Sequence, residues 1–205
     1  MEKLNNKGEL QRLARVIERN CPEYFLDKEG GAAFSKGQVD RAISLFDRAI
    51  QANPAWYGPY FDKAICLSKM GRHDEALELF MTADALNPYN SELYFMVGET
   101  YRTKGNFEKM KEYWRKSLKY DPENDDTFIG LSTYYLDNNM ADSALYYLSI
   151  LSPAAYDPVS YYYRGVAYLK KLDTAAAKEQ FQKYMEVGTD STVIRDILKF
   201  REEAE

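Results

Sequence analysis

Few side chains of this chain are suited to catalytic chemistry. Its 205 residues include one histidine, His73, and two cysteines, Cys21 and Cys66. His73 follows Arg72 in a predicted turn, where we expect it to be solvated. Cys66 lies inside a predicted helix, where cysteine packs as a small apolar side chain. Cys21 precedes a proline in a predicted loop and gives little reason to expect a reactive thiol.

An acidic cluster is the strongest candidate for a metal site. Asp121, Glu123, Asp125 and Asp126 lie close together in the sequence. They lack the glycine and the closing glutamate of a calcium-binding loop, and Asp125 is predicted to be a helix N-cap. There is also no glycine-rich phosphate loop. We therefore expect no metal, no cofactor and no enzymatic activity.

The overall charge excludes other classes of partner. Lys and Arg number 27 against 32 Asp and Glu, which gives a formal charge of −5. A chain of this charge has no electrostatic footprint for nucleic acid or an anionic membrane. No apolar run approaches the ~18 residues of a membrane span, and the first residues lack the apolar core of a secretion signal. The sequence predicts a cytoplasmic protein without nucleic-acid partners or membrane insertion.

A repeat of 34 residues determines how these side chains are positioned. Three prolines and three glycines recur with this step, so two independent features share one period. They are Pro54, Pro88 and Pro122, and Gly37, Gly71 and Gly105. A period of this length is typical of repeat proteins, in which each repeat is one supersecondary unit.

Each period has the pattern of two helices. Tyr60, Ala64 and Leu67 recur at spacings of four and three, which predicts one face of a helix. Gly71 is predicted to end that helix in a left-handed conformation, and Asp74 to cap the next one. The second helix ends before a proline, which cannot continue it. The unit is therefore helix, tight turn, helix and proline turn.

Small residues at fixed positions predict close helix packing. A large side chain at these positions would force the two backbones apart. The positions are Gly30, Ala64, Gly98, Ser132 and Gly165 in the first helices, and Ala42, Ala76, Ala144 and Ala177 in the second. Met110 replaces the small residue in the third unit, which predicts a wider contact there.

This pattern resembles the tetratricopeptide repeat family. The second unit matches it best, with Tyr60, Ala64, Leu67, Gly71, Ala76, Phe80, Ala83 and Pro88. The predicted units are residues 23–56, 57–90, 91–124, 125–157 and 158–188. In the fourth unit Asn139 replaces the turn glycine and Ser152-Pro153 shortens the second helix. The resemblance implies an all-α fold, a right-handed α-solenoid of antiparallel helix pairs with capping helices.

The ends are predicted to be helical. Residues 1–22 are interpreted as an N-terminal helix left from a decayed half-repeat, and residues 189–205 as a C-terminal capping helix. The N-terminal stripe consists of Leu10, Leu13, Ala14 and Ile17. The C-terminal stripe consists of Val193, Ile194, Ile197 and Leu198, with Asp190 or Ser191 as the cap.

A second stripe on the first helices is the predicted binding surface. In the family, the first helices line the concave face, so this stripe is expected to form an apolar, aromatic-rich peptide-binding groove. Its residues are Phe61, Ile65, Phe95, Met96, Glu99, Arg102, Ile129, Thr133, Tyr162, Tyr163 and Val166. We expect an extended or helical segment with apolar anchors to dock there, oriented by Glu99 and Arg102. The alternative for each apolar residue is a place in the core between neighbouring units.

The resemblance leaves three functions open. The first is a non-enzymatic scaffold for protein–protein interaction, the second a self-association module that forms a homo-oligomer, and the third a regulatory segment of a larger protein. Co-chaperones of the family hold a carboxylate with cations and amides. The matching residues here are Asp27, Gly31, Asp62, Glu92 and Met96. None is a cation or an amide, so this carboxylate clamp is predicted to be absent.

Overall fold

The computed structural model describes residues 21–151 and 158–203, with side chains described up to residue 199. Within these residues the chain forms eleven α-helices and no β-strand. They are α1 (Pro22–Ser35), α2 (Val39–Ala52), α3 (Gly58–Lys69), α4 (His73–Leu86), α5 (Ser91–Thr103), α6 (Phe107–Tyr120), α7 (Asp125–Asp137), α8 (Ala141–Ile150), α9 (Pro158–Lys170), α10 (Thr174–Val187) and α11 (Ser191–Glu203). The predicted all-α class is confirmed. The predicted N-terminal helix and Ser152-Pro153 lie outside the described residues, apart from Cys21 and Pro22.

The chain divides into two compact units. Unit 1 is Met1–Tyr120 and unit 2 is Asp121–Glu205. In unit 1, α1 pairs with α2, α3 with α4 and α5 with α6. In unit 2, α7 pairs with α8 and α9 with α10, and α11 contacts α10. Each of the five predicted repeat ranges thus contains one helix pair, although α1 begins one residue before its range.

Small residues bring the paired helices together as the sequence predicts. A Cβ placed on Gly98 of α5 would lie 2.3 Å from Cδ1 of Trp114 on α6. The same contact recurs in other pairs, where Gly30 faces the ring of Phe46 and Gly165 faces that of Phe181. The large ring of the second helix fills the space that the missing side chain leaves on the first. These distances are shorter than real Cβ contacts, so a larger residue at any of these positions requires the ring or the helix to move.

The tight turns within the pairs use the left-handed backbone conformation. Gly37, Gly71 and Gly105 have φ values of 73°, 80° and 74°. Asn139 takes the equivalent place in unit 2 with φ 57°, and Leu172 follows in the last pair with φ 61°. Asparagine tolerates this conformation better than most residues, whereas leucine is strained in it. Leu172 is 90% exposed, so no burial of its side chain offsets the strain.

Two predicted helix caps are each displaced by one or two residues. Helix α4 begins at His73 with Arg72 as its N-cap residue, so Asp74 lies in the first turn and pairs with Lys104 instead. Asn124, not Asp125, caps α7, and its Oδ1 accepts a hydrogen bond of 2.8 Å from the Thr127 amide. Both aspartates remain in the first turn, where negative charge is favoured by the helix dipole.

His73 and Cys66 are both shielded from solvent, His73 in part and Cys66 completely. His73 is half-buried at the start of α4, and its Nδ1 is shielded from solvent without a hydrogen-bond partner among the described residues. The prediction of a solvated turn residue is therefore wrong. Cys66 is fully buried in a core cluster with Ala33 and Leu45, as predicted, and burial raises the pKa of its thiol to about 11. This thiol is protonated and inaccessible at neutral pH.

The last helix covers the end of unit 2. Asp190 caps it by accepting a hydrogen bond of 2.8 Å from the Thr192 amide, which confirms one of the two predicted caps. Ile197 is 2% exposed in a core cluster with Phe181 of α10. Leu198 is 42% exposed, so its predicted place on the buried face is wrong. Burial on one side only is what a capping element requires.

Candidate functional site

Phe61 belongs to the core of unit 1 rather than to an open surface. It is 7% exposed, and its ring centroid lies 5.9 Å from that of Phe80 on α4. Because the neighbouring first helix packs beside it, the expected exposure in a groove is not found. Ile65 of α3 and Met96 of α5 contact the same cluster but are half-buried. These two side chains keep part of their surface accessible.

Trp114 of α6 packs against Phe95 of α5 and fixes its position. The two rings are stacked with centroids 6.2 Å apart and an interplanar angle of 17°. The indole Nε1–H of Trp114 also donates a hydrogen bond of 3.3 Å to the Phe95 carbonyl oxygen. Phe95 itself is half-buried. The contact fixes both the ring and the backbone at this point of α5, so little conformational entropy is lost if a partner covers the remaining surface.

Glu99 and Arg102 form a pair with each other one turn further along α5. Arg102 Nε donates to Glu99 Oε1 over 3.0 Å, and its terminal nitrogen donates to Glu99 Oε2 over 2.8 Å. This bidentate geometry is a strong form of ion pair. Because Glu99 and Arg102 already neutralise each other, they are less suited to orient a charged partner than the sequence suggests. We call Ile65, Phe95, Met96, Glu99 and Arg102 the α3–α5 surface.

The predicted residues of unit 2 are all half-buried. Ile129 and Thr133 lie on α7, where Thr133 Oγ1 donates a hydrogen bond of 2.9 Å to the Gly130 carbonyl oxygen. Val166 of α9 contacts core clusters on both sides of its helix. These side chains therefore contribute to the packing of unit 2 while remaining partly exposed.

The two tyrosines of α9 that the sequence places in the groove face different parts of unit 2. Tyr162 lies with its ring centroid 6.2 Å from both Phe181 and Tyr184 of α10, and burial raises the pKa of its hydroxyl. Tyr163 meets Tyr162 edge-on at 5.4 Å and contacts the cluster around Ala144. Tyr162 is thus tied to the C-terminal core and Tyr163 to the preceding helix pair.

Three acidic side chains come together on the first helices of unit 1. Burial, and then the charges of Asp27 on α1 and Glu92 on α5, raise the pKa of Asp62 on α3 to about 7. Burial also raises the pKa of Asp27, and its interaction with Asp62 lowers it in part. Asp27 Oδ1 is shielded from solvent and has no hydrogen-bond partner among the described residues. Lys28 lowers both pKa values but does not compensate for the burial.

A second concave feature of unit 1 was not predicted. A cavity of about 700 Å³ is lined by Cys21, Glu23, Tyr24, Asn53, Ala55 and Trp56. The rings of Tyr24 and Trp56 are stacked with centroids 6.3 Å apart. We call this feature the Tyr24–Trp56 cavity. The repeat pattern assigns neither ring to a helix-packing stripe, and two such unassigned aromatic residues are the signal that sequence reasoning missed.

Metal-holding clusters and membrane-spanning helices are both absent from the described residues. Among the residues that the structure describes, no three His, Cys, Asp or Glu side chains are arranged to hold a metal ion. No helix within the described ranges is long and apolar enough to cross a membrane.

Sequence models of one repeat family match most of the helix pairs. Three models of the tetratricopeptide repeat match residues 33–96, 91–124 and 159–187. The chain belongs to the tetratricopeptide repeat family. The second of these matches has the same bounds as the third predicted unit, and the resemblance proposed from the sequence is confirmed.

Several proteins of other organisms are similar to part of this chain. An uncharacterized protein of Methanocaldococcus jannaschii is 36% identical over 67 residues, which cover 33% of this chain and 77% of that protein. The small glutamine-rich tetratricopeptide repeat-containing protein 2 of Mycosarcoma maydis is 27% identical, over 52% of this chain and 30% of that protein. The Hsp70-Hsp90 organizing protein of Triticum aestivum is 28% identical, over 62% and 23%. The chain thus spans less than a third of these two longer proteins.

Solved tetratricopeptide repeat structures share the fold. A protein of this family from Thermus thermophilus aligns with a TM-score of 0.71 and 21% identity, over 86% of this chain and 97% of that one. YrrB, described as a protein with an unusual peptide-binding site, aligns with a TM-score of 0.60 and 17% identity, over 92% and 97%. At these identities the likeness shows the fold alone.

The acidic side chains of unit 1 can be compared with a known binding site of the tetratricopeptide repeat family. Asp27, Asp62 and Glu92 occupy positions that match the carboxylate clamp of the family's co-chaperones, where cations and amides are required. Here burial, and then the charges of Asp27 and Glu92, raise the pKa of Asp62. A surface of this charge repels a carboxylate and attracts a cation.

Proposed function

We propose that this chain is a non-enzymatic scaffold that binds a segment of another protein on the α3–α5 surface. The observation that carries the proposal is Phe95, a half-buried aromatic side chain that is fixed against Trp114 and surrounded by partly exposed apolar groups. Rigid aromatic anchors of this kind dominate the energetics of protein interfaces. Half-buried Ile65 and Met96 extend the apolar area on both helices.

The neighbouring acidic residues define the chemistry of the partner. Asp27, Asp62 and Glu92 lie on α1, α3 and α5, and these first helices contact one another in sequence. A partner segment with apolar anchors and a Lys or Arg side chain complements both features. The names of similar proteins are in agreement with a binding role, since one organizes Hsp70 and Hsp90 and another has a peptide-binding site. Unit 2 offers Ile129, Thr133, Tyr162, Tyr163 and Val166 as a separate surface of the same type.

Selection from a random peptide library on the immobilised full chain tests this function. Selected peptides are then titrated, by fluorescence anisotropy, against the wild-type chain and against Phe95→Ala. We expect enrichment of aromatic or aliphatic residues beside Lys or Arg, and a loss of affinity of at least about tenfold in the variant, the effect of losing about 1.4 kcal/mol. Tyr146→Ala is the matched control, because Tyr146 is 63% exposed on a second helix of unit 2.

The results distinguish the proposal from its alternatives. Equal binding to wild type and to a folded Phe95→Ala variant would exclude the α3–α5 surface. Phe95→Leu keeps the apolar volume if the alanine variant unfolds, and it should still weaken binding because the stacked ring is lost. Light scattering on the same samples tests self-association, since a mass that is independent of concentration and equal to one chain removes the homo-oligomer.

A further inference from the structure

A continuous row of tyrosine rings lies between α5 and α6 in unit 1. Each ring contacts the next, with centroids 5.1, 5.5, 6.4 and 5.6 Å apart along the row. In order, the rings are those of Tyr89, Tyr120, Tyr94, Tyr113 and Tyr101. Tyr101 and Tyr113 pack against the core cluster that contains Phe80, whereas Tyr89 and Tyr120 are 66% and 37% exposed. One end of the row is therefore anchored in the core, and the other offers aromatic surface.

Lysine side chains lie over three of these rings. The pairs, with the distance from Nζ to the ring centroid, are Lys116 over Tyr113 at 4.4 Å, Lys119 over Tyr120 at 5.3 Å and Lys109 over Tyr101 at 5.5 Å. Each distance is within the range of a cation–π interaction. The ammonium groups are thus already oriented beside aromatic surface, which reduces the entropy that binding a partner costs.

Four of these side chains form a stripe along α6. They recur at spacings of four, three and four residues, which places them on one face of the helix. They are Lys109, Tyr113, Lys116 and Tyr120, and we call them the Lys–Tyr stripe. The two lysines are seven positions apart, or about 10 Å along the helix axis, and so are the two tyrosines. A second helix packed along α6 has the same period.

The free charge around the Lys–Tyr stripe is positive. Helix α6 carries five Lys or Arg and two Glu, although the whole chain has a net charge of −5. Lys109 and Lys119 have no ion-pair partner among the described residues. On α4, Asp84 accepts a hydrogen bond of 2.8 Å from a hydroxyl of the row, and Asp74 pairs with Lys104. An acidic partner therefore complements the charge of this face.

We propose that the Lys–Tyr stripe is a further docking surface in unit 1, for an amphipathic helix of another protein that carries carboxylates beside apolar side chains. Carboxylates seven residues apart on that helix reach Lys109 and Lys116, and the apolar side chains between them lie on Tyr113 and Tyr120. Tyrosine suits this role because its ring gives apolar contact while its hydroxyl forms hydrogen bonds. The charge preference is opposite to that of the α3–α5 surface, so neither proposal rests on the other.

A designed helical peptide tests this docking surface by fluorescence anisotropy on the full chain. The labelled probe has Glu and Leu alternating at spacings of four and three residues, and its control has Lys in place of every Glu. We expect the glutamate peptide to bind and the lysine peptide not to bind. Tyr120→Ala removes apolar contact and Lys116→Glu reverses one charge, and each should weaken binding by at least about tenfold.

Lys183→Glu is the matched control for Lys116→Glu. Lys183 lies on α10 and pairs with Glu179 four residues away, as Lys116 pairs with Glu112, and the two lysine side chains are 44% and 43% exposed. Both variants therefore lose a comparable ion pair and change the net charge of the chain equally. If Lys116→Glu unfolds by circular dichroism, Lys116→Gln removes the charge without reversing it and should still weaken binding, though to a smaller extent.

Several outcomes would overturn the proposal. They are no binding of the glutamate peptide, equal binding of the lysine peptide, unchanged affinity in a folded Lys116 variant, and an equal loss in Lys183→Glu, which would reflect net charge alone. Binding that is lost in Phe95→Ala but not in Lys116→Glu would place the probe on the α3–α5 surface instead. A mass that rises with concentration in the wild type but not in Lys116→Glu would make a second copy the occupant.

Discussion

At the scale of single residues, the carboxyl group of Asp62 has a strongly raised pKa. Its pKa is about 7 in the folded chain, against an ordinary value of 3.8. Below pH 3.8 the carboxyl is protonated in both states. As the pH rises, the unfolded chain releases the proton first, so the folded state loses relative stability until the pH passes about 7. Asp62 therefore makes the protein less stable at neutral pH than at mildly acidic pH.

Asp62→Asn removes this pH-dependent cost. We expect the variant to be more stable than the wild type by roughly 2–4 kcal/mol at pH 8, with a much smaller difference near pH 4, because the amide cannot ionise. Urea unfolding at both pH values measures the difference. Glu78→Gln is the control, because it removes a carboxylate that is exposed on α4. An Asp62→Asn variant that is less stable at pH 8 would contradict the assigned burial and repulsion.

Leu172 is strained for a different physical reason. Its left-handed backbone costs roughly 1–2 kcal/mol, and its exposed side chain contributes little packing. Leu172→Gly should stabilise unit 2 by about 0.5–1 kcal/mol after the entropy of glycine in the unfolded chain is subtracted. Leu172→Ala keeps the strained backbone and should show no comparable gain. Urea midpoints of the two variants decide the prediction, and a greater stability of the alanine variant would refute it.

At the scale of the elements, the separation of α5 and α6 depends on Gly98. Gly98→Ala should destabilise the chain by about 1–3 kcal/mol, because its Cβ would overlap Trp114. Gly31→Ala is a matched control on α1, where an added Cβ has open space and a helical alanine is favoured by about 1 kcal/mol. Thermal unfolding should therefore move in opposite directions in the two variants. Equal melting temperatures would show that the pair adjusts its spacing.

The sequence predicts the elements because their signals are local and recur. A period of 34 residues, a turn glycine and a small residue opposite a ring are enough to place the helix pairs. The caps of α4 and α7 are displaced because Asp74 and Asp125 are as suitable for the first turn as for the cap itself. The sequence predicts the wrong environment for Phe61 for another reason. Its stripe on α3 faces both solvent and the next first helix, and only the packing of the folded chain determines which of the two Phe61 contacts.

Features that depend on neighbouring helices are not visible in the repeat pattern. The effect of Asp27 on the pKa of Asp62 requires that α1 and α3 bring the two carboxyl groups close together. The stacking of Tyr24 on Trp56 joins a helix to a connection outside every stripe. Each of these pairs combines residues more than 30 positions apart, so no local spacing reports them.

At the scale of the whole molecule, stability in a repeat protein depends mainly on contacts between neighbours. Ile197→Ala should cost about 2–4 kcal/mol because the side chain is buried against α10. Hydrogen exchange should accelerate in α9–α11 and remain unchanged in α1–α4, since these helices belong to the other unit. Leu198→Ala is the control on the exposed face. Uniform acceleration throughout the chain would instead indicate a single cooperative unit.

The contrast between the two cysteines has a practical consequence. Cys66 is sealed within the core with a thiol pKa of about 11, while Cys21 is half-buried at the edge of a cavity. A maleimide dye added to the native protein will therefore label one position without any engineering. Cys21 lines the Tyr24–Trp56 cavity, so the attached dye reports directly on the surroundings of that cavity.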